Sequence, residues 1–229
     1  MPVSALVAIV CGVVGALVGP YLAAVIDRLP RKEPVLGSAG RAVPLRLTMG
    51  TRAAAAGLFA AIGARFAGEW ELPAYLVLAA SLLVVSVIDL EHYVIPNRVV
   101  YPTIAVALPL LAGAAAIGHD WDRFVHALIG GAAAWTFLLL VHLVSPRGMG
   151  FGDVRLSFIL GLYLGWLGAG HVALGLFLGF LLGAVAGIVL VIARRRTRKQ
   201  AIPFGPFLAA GAMLAVFVGE PLLRWYNRS

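Results

Sequence analysis

Leu156 to Ala193 is a run of 38 residues that is apolar almost throughout. Wound as one α-helix it would be roughly 57 Å long, close to twice the hydrocarbon thickness of a bilayer. Gly165, Gly168 and Gly170 break it near the middle, so it reads as two spans joined by a hairpin. Lipid offers no partner to a backbone N–H or C=O, so runs of this length cross it as helices. The rest of the chain agrees. With 62% hydrophobic and 12% charged residues it has too little polar material to wet the surface of a globule. The expected fold is an all-α polytopic membrane protein of about eight spans, one membrane domain over residues 1–229.

The remaining spans follow in order. Residues 5–27 lack a basic leader segment and read as a retained first span rather than a removed signal peptide. Gly12, Gly15 and Gly19 recur on one side of it, a spacing that lets a neighbouring backbone approach. A short polar linker, 28–49, leads to an Ala-rich second span, 50–67, whose weak hydrophobicity suits a helix covered by protein. Glu69-Trp70-Glu71-Leu72 forms a polar turn with an interfacial aromatic. The third span, 73–90, runs into Asp89-Leu90-Glu91-His92. Pro96 then opens the fourth span, 98–117, with Asn97 as its cap. The fifth covers 124–144, and the eighth covers 206–218 with Trp225 and Tyr226 beyond it.

Eight spans put alternate loops on alternate sides. Residues 28–52, 91–98, 145–155 and 194–200 then share one side and hold 14 of the 18 Lys and Arg. Arg65, Arg123, Arg224 and Arg228 make up the other side. The net charge of +8 therefore reads as membrane orientation rather than nucleic-acid binding, with the basic side cytoplasmic and both termini outside. The Arg194–Lys199 cluster is an anchor to anionic lipid headgroups. Cys11 is the single cysteine, which excludes a disulfide framework and a cysteine-based metal site. His142 and His171 fall near opposite faces, so no metal or other cofactor is expected.

Span lengths and loop charges alone set two acids at the same depth on the same side. Asp89 ends span three, and Asp153 stands at the lip of span six within Arg147-Gly-Met-Gly-Phe-Gly-Asp-Val-Arg155. A carboxylate there is costly unless paired, solvated or put to use. Two close carboxylates can share one proton; the ionised member takes a proton from water while its partner donates to a carbonyl oxygen. Gly150 and Gly152 permit close backbone approach beside Asp153. The plain alternatives are a helix N-terminal carboxylate at Asp153 and an interfacial one at Asp89 held by Arg98 or Arg155. Asp27 beside Arg28 reads as an end-of-helix ion pair that could also tune the site. His92, three residues from Asp89, could face it across a helical turn.

Gly150-Phe151-Gly152-Asp153 resembles the GxGD signature of the prepilin leader peptidases. Asp89 followed by Ile95-Pro96-Asn97 is similar to that family's other acidic motif, and Pro203-Phe204-Gly205-Pro206 to its last-helix motif. Gly19-Pro20-Tyr21-Leu22 through Arg28-Leu29-Pro30 resembles its first-helix ending. The resemblance implies a membrane aspartic peptidase of the bacterial cytoplasmic membrane that cuts the basic leader from type IV prepilins or pseudopilins at the cytoplasmic face. It implies Asp89 and Asp153 as the catalytic pair, with Gly150, Gly152, Pro96, Asn97, Gly205 and Pro206 shaping the site. The basic leader would be held near Glu33, Glu91 or lipid headgroups. Many members carry a larger insertion with two CxxC pairs after the first helix and also methylate the new N-terminus. The linker here is short and without cysteine, which separates methylation from cleavage. Other readings stay open: a GxGD-type peptidase for other membrane signal sequences, a proton-coupled transporter using the two acids, and a non-catalytic assembly factor. No inverted repeat supports the transporter, and both acids sit toward one face rather than the midplane.

Overall fold

The structure, a computed structural model, describes residues 2–35, 42–146, 148–193 and 203–226. Arg147, the Arg194–Lys199 cluster and Arg228 lie outside the described residues. The described chain is all helical: α1 (Val3–Arg28), α2 (Leu45–Arg65), α3 (Leu72–His92), α4 (Asn97–Gly118), α5 (Trp121–Val144), α6 (Phe151–Leu167), α7 (Ala169–Ile192) and α8 (Gly205–Tyr226). Seven of them are long and apolar enough to cross a membrane. The eighth, α6, has 17 residues, and most of its side chains are buried all round the helix. A helix apolar on every side is one enclosed by other helices; α5, α7 and α8 all pack on it.

Four boundaries differ from the sequence reading. Helix α2 starts at Leu45, where Pro44 accepts the Thr48 N–H at 3.0 Å, so the linker is shorter than 28–49. Asn97 is the first helical residue of α4 rather than its cap; Pro96 takes the cap position in extended conformation, and its carbonyl accepts from Val99 and Val100. Helix α6 begins at Phe151, which puts Asp153 inside its first turn. Helix α8 runs on to Tyr226, past the expected end at residue 218 and through Pro221. The Arg224 Nε–H donates to Glu220 Oε1 at 2.7 Å across one helical turn there. Helix α2 is also less covered than expected, with 28% of its apolar window buried against 56% in α3.

The helices fall into two compact units, Met1–Ile88 with Pro96–Asp120 and Asp89–Ile95 with Trp121–Ser229. In the first, α1 crosses α2 on the glycine stripe. A Cβ on Gly15 would lie 2.9 Å from the Phe59 Cβ and would run into the Ala55 carbonyl. Beside that crossing Leu22, Ile26, Ala55, Val84 and Ile88 form a buried cluster. Gly15→Val is expected to lower stability by about 1–3 kcal/mol through overpacking, seen as a lower Tm in detergent. Gly57→Ala, with nothing within 4 Å of the new Cβ, leaves the Tm unchanged or slightly higher.

In the second unit, α5 lies on α6 where Gly130 faces Gly161 and Gly165, so the two backbones touch. Ser157 Oγ, buried in the same crossing, points at Val154 O (2.8 Å) and Ala134 O (3.2 Å). Gly168, with φ +127°, turns the chain from α6 into α7, at the middle of the three glycines that mark the hairpin. Helix α8 packs on α7 through Gly211 and Gly179. This unit also takes the last turn of α3 and the segment to Ile95, which brings Asp89 in among α5–α8.

Candidate active site

Asp89 sits in the last turn of α3 and is 4% exposed. Its Oδ2 accepts the backbone N–H of Gly205 at 3.0 Å. Gly205 is the first residue of α8, and the first amides of a helix have no partner within it. Such an amide is a natural seat for an anion. A Cβ on Gly205 would stand 2.9 Å from Asp89 Oδ2 and 3.2 Å from Ile95 Cδ1. Only a bare backbone comes this close.

Asp153 is the third residue of α6 and is 6% exposed. Gly150 precedes the helix in extended conformation and accepts the Asp153 N–H at 3.1 Å. The Asp153 side chain therefore stands in the first turn of α6, where the leading amides of a helix have no partner within it. Its Oδ1 is buried without a hydrogen-bond partner among the described residues. Asp89 and Asp153 are thus both buried within the second unit. Ile95 lies against both acid-bearing segments: its Cβ is 2.9 Å from where a Cβ on Gly152 would be, and its Cδ1 flanks Gly205. The chain reaches that place because Tyr93 adopts a left-handed conformation (φ 58°) just after α3 and turns the strand of residues around Asp89.

As a general matter, two carboxylates close together with little water around them cannot both ionise cheaply, so they tend to hold one proton between them. The buried oxygen of Asp153 needs a donor, and a shared proton or a bound water would serve.

The other residues singled out in the sequence are distributed unevenly. A Cβ on Gly150 would approach Asp153 Oδ2 at 3.3 Å. Pro206 is the second residue of α8, where its missing N–H costs nothing. Glu91 and His92 are exposed at the end of α3, and His92 forms no hydrogen bond with the buried Asp89. Pro96, Asn97, Asp27 and Glu33 belong to the first unit. There Asp27 Oδ1 pairs with Arg31 Nη2 at 3.2 Å, while Arg28 reaches the carbonyls of Pro34 and Val35. Among the described residues no three His, Cys, Asp or Glu side chains gather as metal ligands would.

Two contributors were not legible in the sequence. Ile95 appeared only as part of a motif, without a task. His142, read there only as half of an unlikely metal pair, closes the glycine-rich turn. Its Nδ1–H donates to the Met149 carbonyl at 2.8 Å, and its ring meets Phe151 edge-on at 5.5 Å. Arg155 lies over the other part of this brace, 4.6 Å from the Phe151 ring centre. His142→Ala should lower turnover by about 2–10-fold, the worth of one net hydrogen bond, with the protein still folded in the membrane. A steady-state comparison with the unaltered protein checks it.

The family described as the Type IV leader peptidase family matches residues 76–192, just over half of the chain. The chain belongs to this family. The matched stretch contains both Asp89 and Asp153 and stops short of Gly205. Among curated relatives, the prepilin leader peptidase/N-methyltransferase of Bacillus subtilis is 34% identical over 74% of this chain and 65% of its own. The protein of that name from Aeromonas hydrophila is 32% identical over 74% of this chain and 57% of its own. The Pseudomonas aeruginosa one is 32% identical over 70% and 54%. This leader-peptidase relative thus spans between about half and two thirds of their length. No solved structure matches the chain significantly.

Proposed function

We propose that the protein is a membrane aspartic endopeptidase that removes the short basic leader from type IV prepilins or pseudopilins, with Asp89 and Asp153 as its catalytic pair. What supports this reading is the burial of two carboxylates, Asp89 and Asp153, in one compact unit within the matched span of a leader-peptidase family.

The chemistry follows from the protonation of the pair. The ionised carboxylate takes a proton from a water held between the two acids. The resulting hydroxide attacks the scissile carbonyl, whose oxygen receives the proton of the second carboxylate. When the tetrahedral intermediate collapses, a proton passes to the leaving amine and the pair returns to its starting state. The Gly205 N–H steadies Asp89 throughout, and the glycines at 150 and 152 leave room for an extended peptide beside Asp153.

The charge distribution of the loops supports a cytoplasmic site, with both termini outside and the protein in the bacterial cytoplasmic membrane. A basic leader would then reach the pair from the side on which it is made.

The test is direct. Purified protein in detergent is mixed with a full-length prepilin, and the products are read by mass spectrometry. One cut just ahead of the apolar segment is expected. A substrate that stays intact under conditions where a known prepilin peptidase cleaves it would refute the reading. The same spectrum bears on the second half of the relatives' name. The linker after α1 is short and the chain has a single cysteine, Cys11, inside α1. The new N-terminus is therefore expected to remain unmethylated when S-adenosylmethionine is supplied.

A further inference from the structure

The first unit holds a groove that the peptidase reading does not use. It has a volume of about 300 Å³ and runs between α1, α3 and α4, walled by Val25, Ala80, Val84 and Val99. Two of the three hydroxyls in its lining are turned back on their own helices: Ser81 Oγ–H donates to Leu78 O at 2.9 Å and Thr103 Oγ1–H to Val99 O at 2.8 Å. Apart from Tyr21 and Arg98, what remains on the wall is hydrocarbon. The open side is flanked by Tyr21 and Val106, which are 50% and 44% exposed. All three helices are long and apolar enough to cross a membrane, so this side looks out on lipid.

One cation lines the groove. Arg98 stands in the first turn of α4, next to Val99, and is exposed. Among the described residues its side chain has neither an ion pair nor a hydrogen bond. A guanidinium at the end of a spanning helix lies at headgroup level, where it lowers its cost by meeting a phosphate.

We infer that the α1–α3–α4 groove holds one acyl chain of a phospholipid with net negative charge, its phosphate resting on Arg98. Charge complementarity picks the lipid class. A zwitterionic phosphatidylethanolamine would bring an ammonium group to the same guanidinium, whereas a phosphatidylglycerol brings none.

The experiment needs no cleavage assay, so its outcome is independent of the peptidase reading. Full-length protein is delipidated, incubated with equal amounts of phosphatidylglycerol and phosphatidylethanolamine, and examined by native mass spectrometry. Phosphatidylglycerol should be retained about five-fold over phosphatidylethanolamine, the preference one arginine confers. Arg98→Gln should abolish the preference, Arg98→Lys should keep most of it, and Ala80→Trp, which fills the groove, should reduce lipid retention. Equal retention of the two lipids by the unaltered protein would overturn the inference. So would a preference that survives in Arg98→Gln, or a groove in which Arg98→Gln alters capture of a prepilin helix but leaves lipid binding unchanged.

Discussion

Asp89→Asn and Asp153→Asn each lower prepilin cleavage by about 10²–10⁴-fold, the contribution of a positioned acid or base. Both variants still accumulate in the membrane. Asparagine keeps the size of the side chain and, at position 89, an oxygen that can accept the Gly205 N–H. What it removes is the capacity to gain or lose a proton. In a soluble surface loop that change would be trivial. Here both carboxylates are buried in one unit, and in the proposed mechanism losing either one leaves the other without a partner for the shared proton. The double variant should be scarcely worse than either single one, because groups that act as a unit are not additive. Co-expression with a prepilin and a mobility-shift blot measures all three. Full processing by either single variant would remove the aspartate pair from the mechanism.

Gly205→Ala lowers turnover by about 10²-fold, the cost of misplacing a reacting group by roughly 1 Å. The added methyl would sit 2.9 Å from Asp89 Oδ2, closer than carbon and oxygen tolerate, and Ile95 blocks retreat on the other side at 3.2 Å. The carboxylate or the start of α8 has to move, and either motion lengthens the hydrogen bond from the Gly205 N–H. The loss should appear in kcat with KM little changed, since nothing on the substrate side is altered. Gly150→Ala makes a useful contrast. Its methyl would meet Asp153 Oδ2 at 3.3 Å, a contact that a small side-chain adjustment relieves, so only a few-fold loss is expected. If Gly205→Ala retained full activity, the Asp89–Gly205 contact would have no bearing on catalysis.

Each of these effects depends on contacts the sequence names but does not join. The Pro203–Pro206 stretch was legible only as a last-helix motif, yet the Gly205 amide meets a carboxylate 116 residues away. Nothing local to either segment marks that pairing. The same holds for His142 and Met149, whose hydrogen bond spans the glycine-rich turn from the end of α5. Asn97 shows the opposite failure. A good capping residue after a proline invited a cap, but the proline's own extended backbone filled that place and its carbonyl took the first amides of α4.

The sequence by itself determined the helices, their order and the two acids at helix ends. Those features follow from length, hydropathy and charge, which act over a few residues at a time and are enforced by lipid on each span separately. Only the tertiary structure decided that Asp89 leaves its own helix's company to lie among α5–α8, that Ile95 comes between Gly152 and Gly205, and that α6 is enclosed by protein. These depend on which backbones can touch, and that is set by pairs of glycines from distant segments meeting at one crossing. No single stretch of chain contains such a pair.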